Sequence, residues 1–68
     1  MINIGIKIKE LRELKNITQS TLAKEINVTR QAIAMYETNQ RQPSYEILIS
    51  IAKYFETTTD YLLGLKED

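Results

Sequence analysis

Apolar positions along this chain fall into short groups separated by polar breaks. Ile4, Ile8 and Leu11 keep the i, i+4, i+7 spacing that gathers side chains on one helical face. Asn3 stands where an N-cap is needed, and the following KELRELK is rich in helix formers with acids set among Lys and Arg. A helix is predicted from about Ile4 to Lys15, ended by Asn16. Ile2, Ile4, Ile6 and Ile8 also alternate as a strand would, so the first residues carry both patterns. A second helix is predicted over about Gln19 to Ile26, capped by Thr18, with Leu22, Ala23 and Ile26 inward. A third starts after Thr29, another good cap, and runs to about Thr38 with Ile33 and Tyr36 inward. Asn27 lies at the bend between them, with Val28 just after it. Asn accepts the left-handed backbone better than most residues with a side chain. Ala23 is small enough to let the third helix cross close above it.

The polar segment Asn39 to Pro43, NQRQP, reads as a loop and holds the only Pro. A fourth helix begins near Ser44 or Tyr45 and ends near Phe55, with Leu48, Ile51, Ala52 and Phe55 as its inner stripe. Thr57, Thr58 and Thr59 break the pattern. Thr58 is expected to cap a short fifth helix over about Thr59 to Leu63, with Gly64 at its end and LKED as a charged tail. The expected fold is all-α, a compact five-helix bundle forming one domain over residues 1–68. With 68 residues, a domain buries only ~60% of its unfolded surface, which favours local helical contacts.

Composition narrows the chemistry. Hydrophobic content of 43% argues against disorder, and two Gly with one Pro are too few for a turn-rich β domain. The absence of Cys removes disulfides, thiolate nucleophiles and Cys-ligated zinc. The absence of His removes the commonest general base and metal ligand. Acids and bases are scattered along helix exteriors with no Gly-rich phosphate loop, so an enzyme is not expected. No metal, cofactor or small-molecule ligand is implied. No apolar run approaches the ~18 residues of a membrane span, and the N-terminus lacks the pattern of a secretory signal. The cytoplasm is the expected location.

The two helices from Gln19 to Thr38 leave Arg30, Gln31, Ala34 and Met35 outside on the second of them. Arg and Gln are shaped for bidentate contacts to guanine and adenine edges in a major groove. A helix-turn-helix that reads DNA is therefore the leading expectation. Net charge is zero, yet residues 1–43 carry +3 and residues 44–68 carry −3. The reading helix lies in the positive part, whose modest excess predicts weak non-specific binding.

Taken in order, the pieces IKELRELKNITQSTLAKEI, VTRQAIAMYE, the Glu37–Pro43 loop, PSYEILISIAKYF and the T-x-D-Y-L-L-G ending resemble the phage-repressor family of helix-turn-helix domains, also called XRE or Cro-like. The resemblance runs from about Ile4 to Gly64. It implies a five-helix bundle whose third helix enters the major groove, usually as a dimer on an operator with approximate two-fold symmetry. It implies base contacts for Arg30, Gln31, Ala34 and Met35. It implies phosphate contacts for Gln19, which would also brace the start of the third helix, for Thr29, and for Asn39, Gln40 and Arg41 in the following loop. Arg12 and Glu37 match an ion pair between the first and third helices. Asn27 and Asn39 stand where Gly is usual, and the apolar pair Ala34 and Met35 suggests thymine-methyl contact or fewer base hydrogen bonds.

Ile47, Ile49, Tyr54, Tyr61 and Leu65 do not all fit an inner stripe. They either edge the small core or form a homodimer surface, and the dimer is the expectation. The favoured function is a sequence-specific transcriptional regulator, a dimeric repressor of phage, plasmid or mobile-element type binding double-stranded DNA. The alternative is a protein-binding adaptor or antitoxin-like subunit that uses the same helix surface.

Overall fold

A computed structural model describes residues 3–65. Ile2 of the alternating pattern and the tail residues 66–68 lie outside the described residues. Five helices follow in order: α1 (Ile4–Leu14), α2 (Gln19–Glu25), α3 (Arg30–Glu37), α4 (Tyr45–Tyr54) and α5 (Thr59–Leu62). Ile4, Ile6 and Ile8 are all helical, so the strand-like alternation is overridden by the apolar face at Ile4 and Ile8, both buried.

Each helix opens the same way. The side chains of Asn3, Thr18, Thr29, Ser44 and Thr58 accept from the backbone N–H three residues on, at 3.0–3.2 Å. Each bond satisfies a donor that has no partner within the helix. Each helix also closes the same way. A residue of positive φ follows the last turn, at Asn16, Asn27, Asn39, Glu56 and Gly64. At each one, the two N–H groups past the cap return to carbonyls of the final turn, as when Asn27 donates to Lys24 and Val28 to Ala23. The chain is turned back five times by one device, which keeps the connections short.

The core takes one fully buried aliphatic side chain from every helix: Ile8, Leu22, Ile33, Ile51 and Leu62. Ala23 is buried on α2, and α2 packs against α3. Leu11 and Phe55, expected on inner stripes, are half-buried at the margin of the core. Ile17 and Val28, the residues just past two of the closures, also pack against it. The result is a body of 27 × 23 × 20 Å with α1 and α2 supporting α3 from behind.

Candidate nucleic-acid interface

α3 is held by its ends. Thr29 Oγ1 accepts from the Ala32 N–H at 3.1 Å, so this hydroxyl caps the helix and keeps its own proton to donate outward. At the other end, Glu37 is buried with a side chain only 3% exposed. A carboxylate so placed is costly unless paired and hydrogen-bonded. Arg12 supplies both, with Nε 2.7 Å from Glu37 Oε2 and Nη2 3.2 Å from Oε1, while its Nη1 donates to the Ile17 carbonyl at 2.9 Å. The hydrogen bond to Glu37 raises the Arg12 pKa further above its already high value. Desolvation pulls it down, and the charges of Glu37 and Glu13 add to the rise. The expected α1–α3 ion pair is therefore present as a fork.

Gln19 is the first residue of α2 and joins this pair to the start of α3. Its Nε2 donates to Glu37 Oε1 at 3.0 Å, and its Oε1 accepts from Arg30 Nη1 at 3.2 Å. Arg30, the first residue of α3, is exposed, and so is Gln31 beside it. Two shallow grooves flank this end of α3. One runs past Asn16, Thr18, Gln19 and Ser20 to Arg30. The other joins Thr29, Gln31, Ala32 and Met35 to Arg41.

Ala34 and Met35, expected on the outer surface, are half-buried. The turn after α3 folds back on this part of the helix, since the N–H groups of Gln40 and Arg41 both donate to the Met35 carbonyl, at 2.9 and 3.3 Å. The Asn39 N–H donates to Tyr36. The N–H groups of Asn39, Gln40 and Arg41 thus point inward, while the side chains of Gln40, Arg41 and Gln42 are exposed. The Asn39 side chain is directed elsewhere. Its Oδ1 accepts from the Gly5 N–H at 3.2 Å and its Nδ2 donates to Asn3 Oδ1 at 2.7 Å.

The surplus apolar residues divide. Ile47, Tyr54 and Tyr61 are half-buried against the core, Ile49 is half-buried, and Leu65 is 69% exposed. Lysines in and just past α1 sit over both tyrosine rings, Lys15 above Tyr54 at 4.7 Å and Lys7 above Tyr61 at 4.6 Å. Leu14, which no inner stripe includes, is 81% exposed, beside Tyr61, Glu10 and Glu13. The signal was available: the stripe Ile4, Ile8, Leu11 continues to Lys15, which leaves Leu14 off the face. Among the described residues there is no group of acids able to hold a metal ion, and no helix long and apolar enough to cross a membrane.

Comparison with known proteins agrees with this geometry. Residues 8–62 match the helix-turn-helix family. The chain is 41% identical over 61 residues to the transcriptional activator BcrR of Enterococcus faecalis, covering 90% of this chain and 30% of that protein. It is 38% identical over 56 residues to the uncharacterised transcriptional regulator YqaE of Bacillus subtilis, covering 82% and 48%. The chain thus spans about half or less of the length of these relatives. Among solved structures, the P22 c2 repressor in complex with a synthetic operator superposes with a TM-score of 0.88 at 30% identity, covering 93% of this chain and 96% of that one.

Proposed function

Because the chain belongs to the XRE (Cro-like) family of helix-turn-helix domains, a family of DNA-binding transcriptional regulators and not of enzymes, we propose that it reads a specific operator by placing α3 in the major groove. The observation that carries this reading is the exposed pair Arg30 and Gln31 at the start of α3, with Arg30 already aimed by Gln19. Arg30 suits guanine and Gln31 suits adenine. Gln40, Arg41 and the free proton of Thr29 are the phosphate contacts, together with the second Nε2 hydrogen of Gln19. Ala34 and Met35 contribute apolar contact from a half-buried position. One domain spans residues 1–68.

The protein acts as a homodimer whose two α3 helices lie one helical turn apart, ~34 Å, on an operator of approximate two-fold symmetry. The surface of α4 and α5 around Ile47, Ile49, Tyr54, Tyr61 and Leu65 supplies the contact. The likeness to an operator-bound repressor supports steric repression of phage, plasmid or mobile-element type, in the cytoplasm where the DNA is. Selection of bound duplexes from a random pool tests the reading. Enrichment of a two-fold symmetric site is the expected outcome, and a pool that stays random would remove the DNA-reading assignment. A promoter fusion then gives the sign, with activation of the selected promoter overturning the repressor part alone.

A further inference from the structure

The turn that leaves α3 is tied to α1 by one side chain. A Cβ at Gly5 would lie 2.5 Å from the Tyr36 carbonyl oxygen, 2.7 Å from that of Glu37 and 2.9 Å from Asn39 Oδ1. The first turn of α1 therefore rests directly on the carbonyl end of α3, an approach only glycine permits. The partial charges at the two helix ends are of opposite sign there, which favours the contact. Early N–H groups of a helix lack partners within it. In α1 the Ile6 N–H is taken by Asn3 Oδ1 and the Gly5 N–H by Asn39 Oδ1, both at 3.2 Å. Asn39 Nδ2 then donates to Asn3 Oδ1 at 2.7 Å, so one amide caps α1 from across the molecule and grips its own cap as well.

Asn39 makes these bonds from a backbone φ of 59°, a conformation that Asn adopts more readily than other residues with a side chain. A glycine here would keep the same backbone and make neither bond. Gln40 and Arg41 follow immediately, their N–H groups clamped on the Met35 carbonyl. We propose that Asn39 is a positioning residue for DNA binding: its clasp on Gly5 and Asn3 fixes the turn against α1, so that Gln40 and Arg41 leave it already aligned for phosphate. Alignment completed on folding leaves less ordering cost at binding. The inference rests on the reading of α3 as the groove helix.

Asn39→Gly isolates the clasp, because it preserves the positive φ. The Gly5 amide is expected to exchange with solvent about tenfold faster, and affinity for the selected operator to fall about threefold to tenfold, the ratio one net hydrogen bond is worth. When Gln40 and Arg41 are both alanine, the same substitution should leave low-salt affinity unchanged, because nothing remains for Asn39 to align. Equal losses in the two backgrounds, or a lowered melting temperature with unchanged affinity in both, overturn the proposal. If the unsubstituted protein binds no DNA at all, the groove-helix reading fails and this inference falls with it. The Gly5 exchange rate would still report the clasp and tell the two failures apart.

Discussion

Gln19 Oε1 accepts a hydrogen bond from Arg30 Nη1 at 3.2 Å while the same amide donates to Glu37 at 3.0 Å. A carboxylate can only accept, so the amide nitrogen must face Glu37 and its oxygen must face Arg30. The buried pair Arg12–Glu37 thereby sets which way Gln19 points, and Gln19 sets where Arg30 begins. The second Nη1 hydrogen of Arg30 and its other donors remain for the proposed contact with a guanine edge. Gln19→Ala is predicted to weaken operator binding by about 0.5–1.5 kcal/mol, with the loss concentrated at the base pair Arg30 reads. Binding measured across single-base operator variants decides it. A loss spread evenly over all positions would make Gln19 a phosphate contact and nothing more.

The Arg12–Glu37 pair matters to folding first. Removing one partner strands a buried charge, which costs about 3–5 kcal/mol. A domain of this size has a total stability on the order of 3–10 kcal/mol. Arg12→Ala is therefore predicted to lower the melting temperature by more than about 10 °C, as read by circular dichroism. The raised Arg12 pKa makes this contribution complete below the unfolded pKa and lost only as pH rises through the folded value. Both lie far above neutrality, so Arg12 itself adds no slope to stability between pH 6 and pH 9.

Salt dependence should be shallow. Arg12 is neutralised by Glu37, and Lys7 and Lys15 lie over Tyr61 and Tyr54. Arg30 and Arg41 are the cations on the proposed DNA-contacting face of α3 and the loop after it. With Arg30 on a base and Arg41 on a phosphate, log affinity should fall with log salt at a slope of roughly −1 per subunit, and roughly −2 if both reach phosphate. A slope steeper than about −4 per subunit would mean that α1 and α2 lysines also track the backbone.

Glu56 closes α4 with φ 56°, in a position where a side chain is disfavoured by roughly 1–2 kcal/mol. Replacing it with glycine removes that cost and adds a smaller one in unfolded-chain entropy. Glu56→Gly should raise the melting temperature by a few degrees, about 0.5–1 kcal/mol, without altering DNA binding. A drop in stability would show that the Glu56 side chain makes an uncounted contribution.

The helix boundaries were legible because each is written in one residue: an Asn, Ser or Thr that caps, and for most helices an Asn or Gly that turns the chain. Glu56 was not, since nothing about glutamate announces a positive φ; Thr57 at the next position must return to the Ala52 carbonyl, and the backbone obliges. At the site, the family resemblance paired Arg12 with Glu37, and the helical pattern placed Arg30 and Gln31 on the exposed face. It left Ala34 and Met35 fully outside because a helical wheel does not show the following turn folding back onto the Met35 carbonyl. The bond from the Gly5 N–H to Asn39 was not legible, because its partners lie 34 residues apart. Such contacts depend on packing between α1 and α3, which no local pattern encodes.

In the proposed complex, Arg30 and Gln31 carry base recognition on an otherwise intact fold. The most direct measurement compares the affinity of the unsubstituted protein and of Arg30→Ala/Gln31→Ala for the selected operator and for a scrambled duplex, at one salt concentration. The unsubstituted protein should prefer its operator by ~10³-fold or more. The double variant should melt at the same temperature within about two degrees and retain less than roughly tenfold preference, as expected when contacts worth about 1–3 kcal/mol each are removed. A double variant that folds normally and keeps the full preference would show that base recognition lies elsewhere.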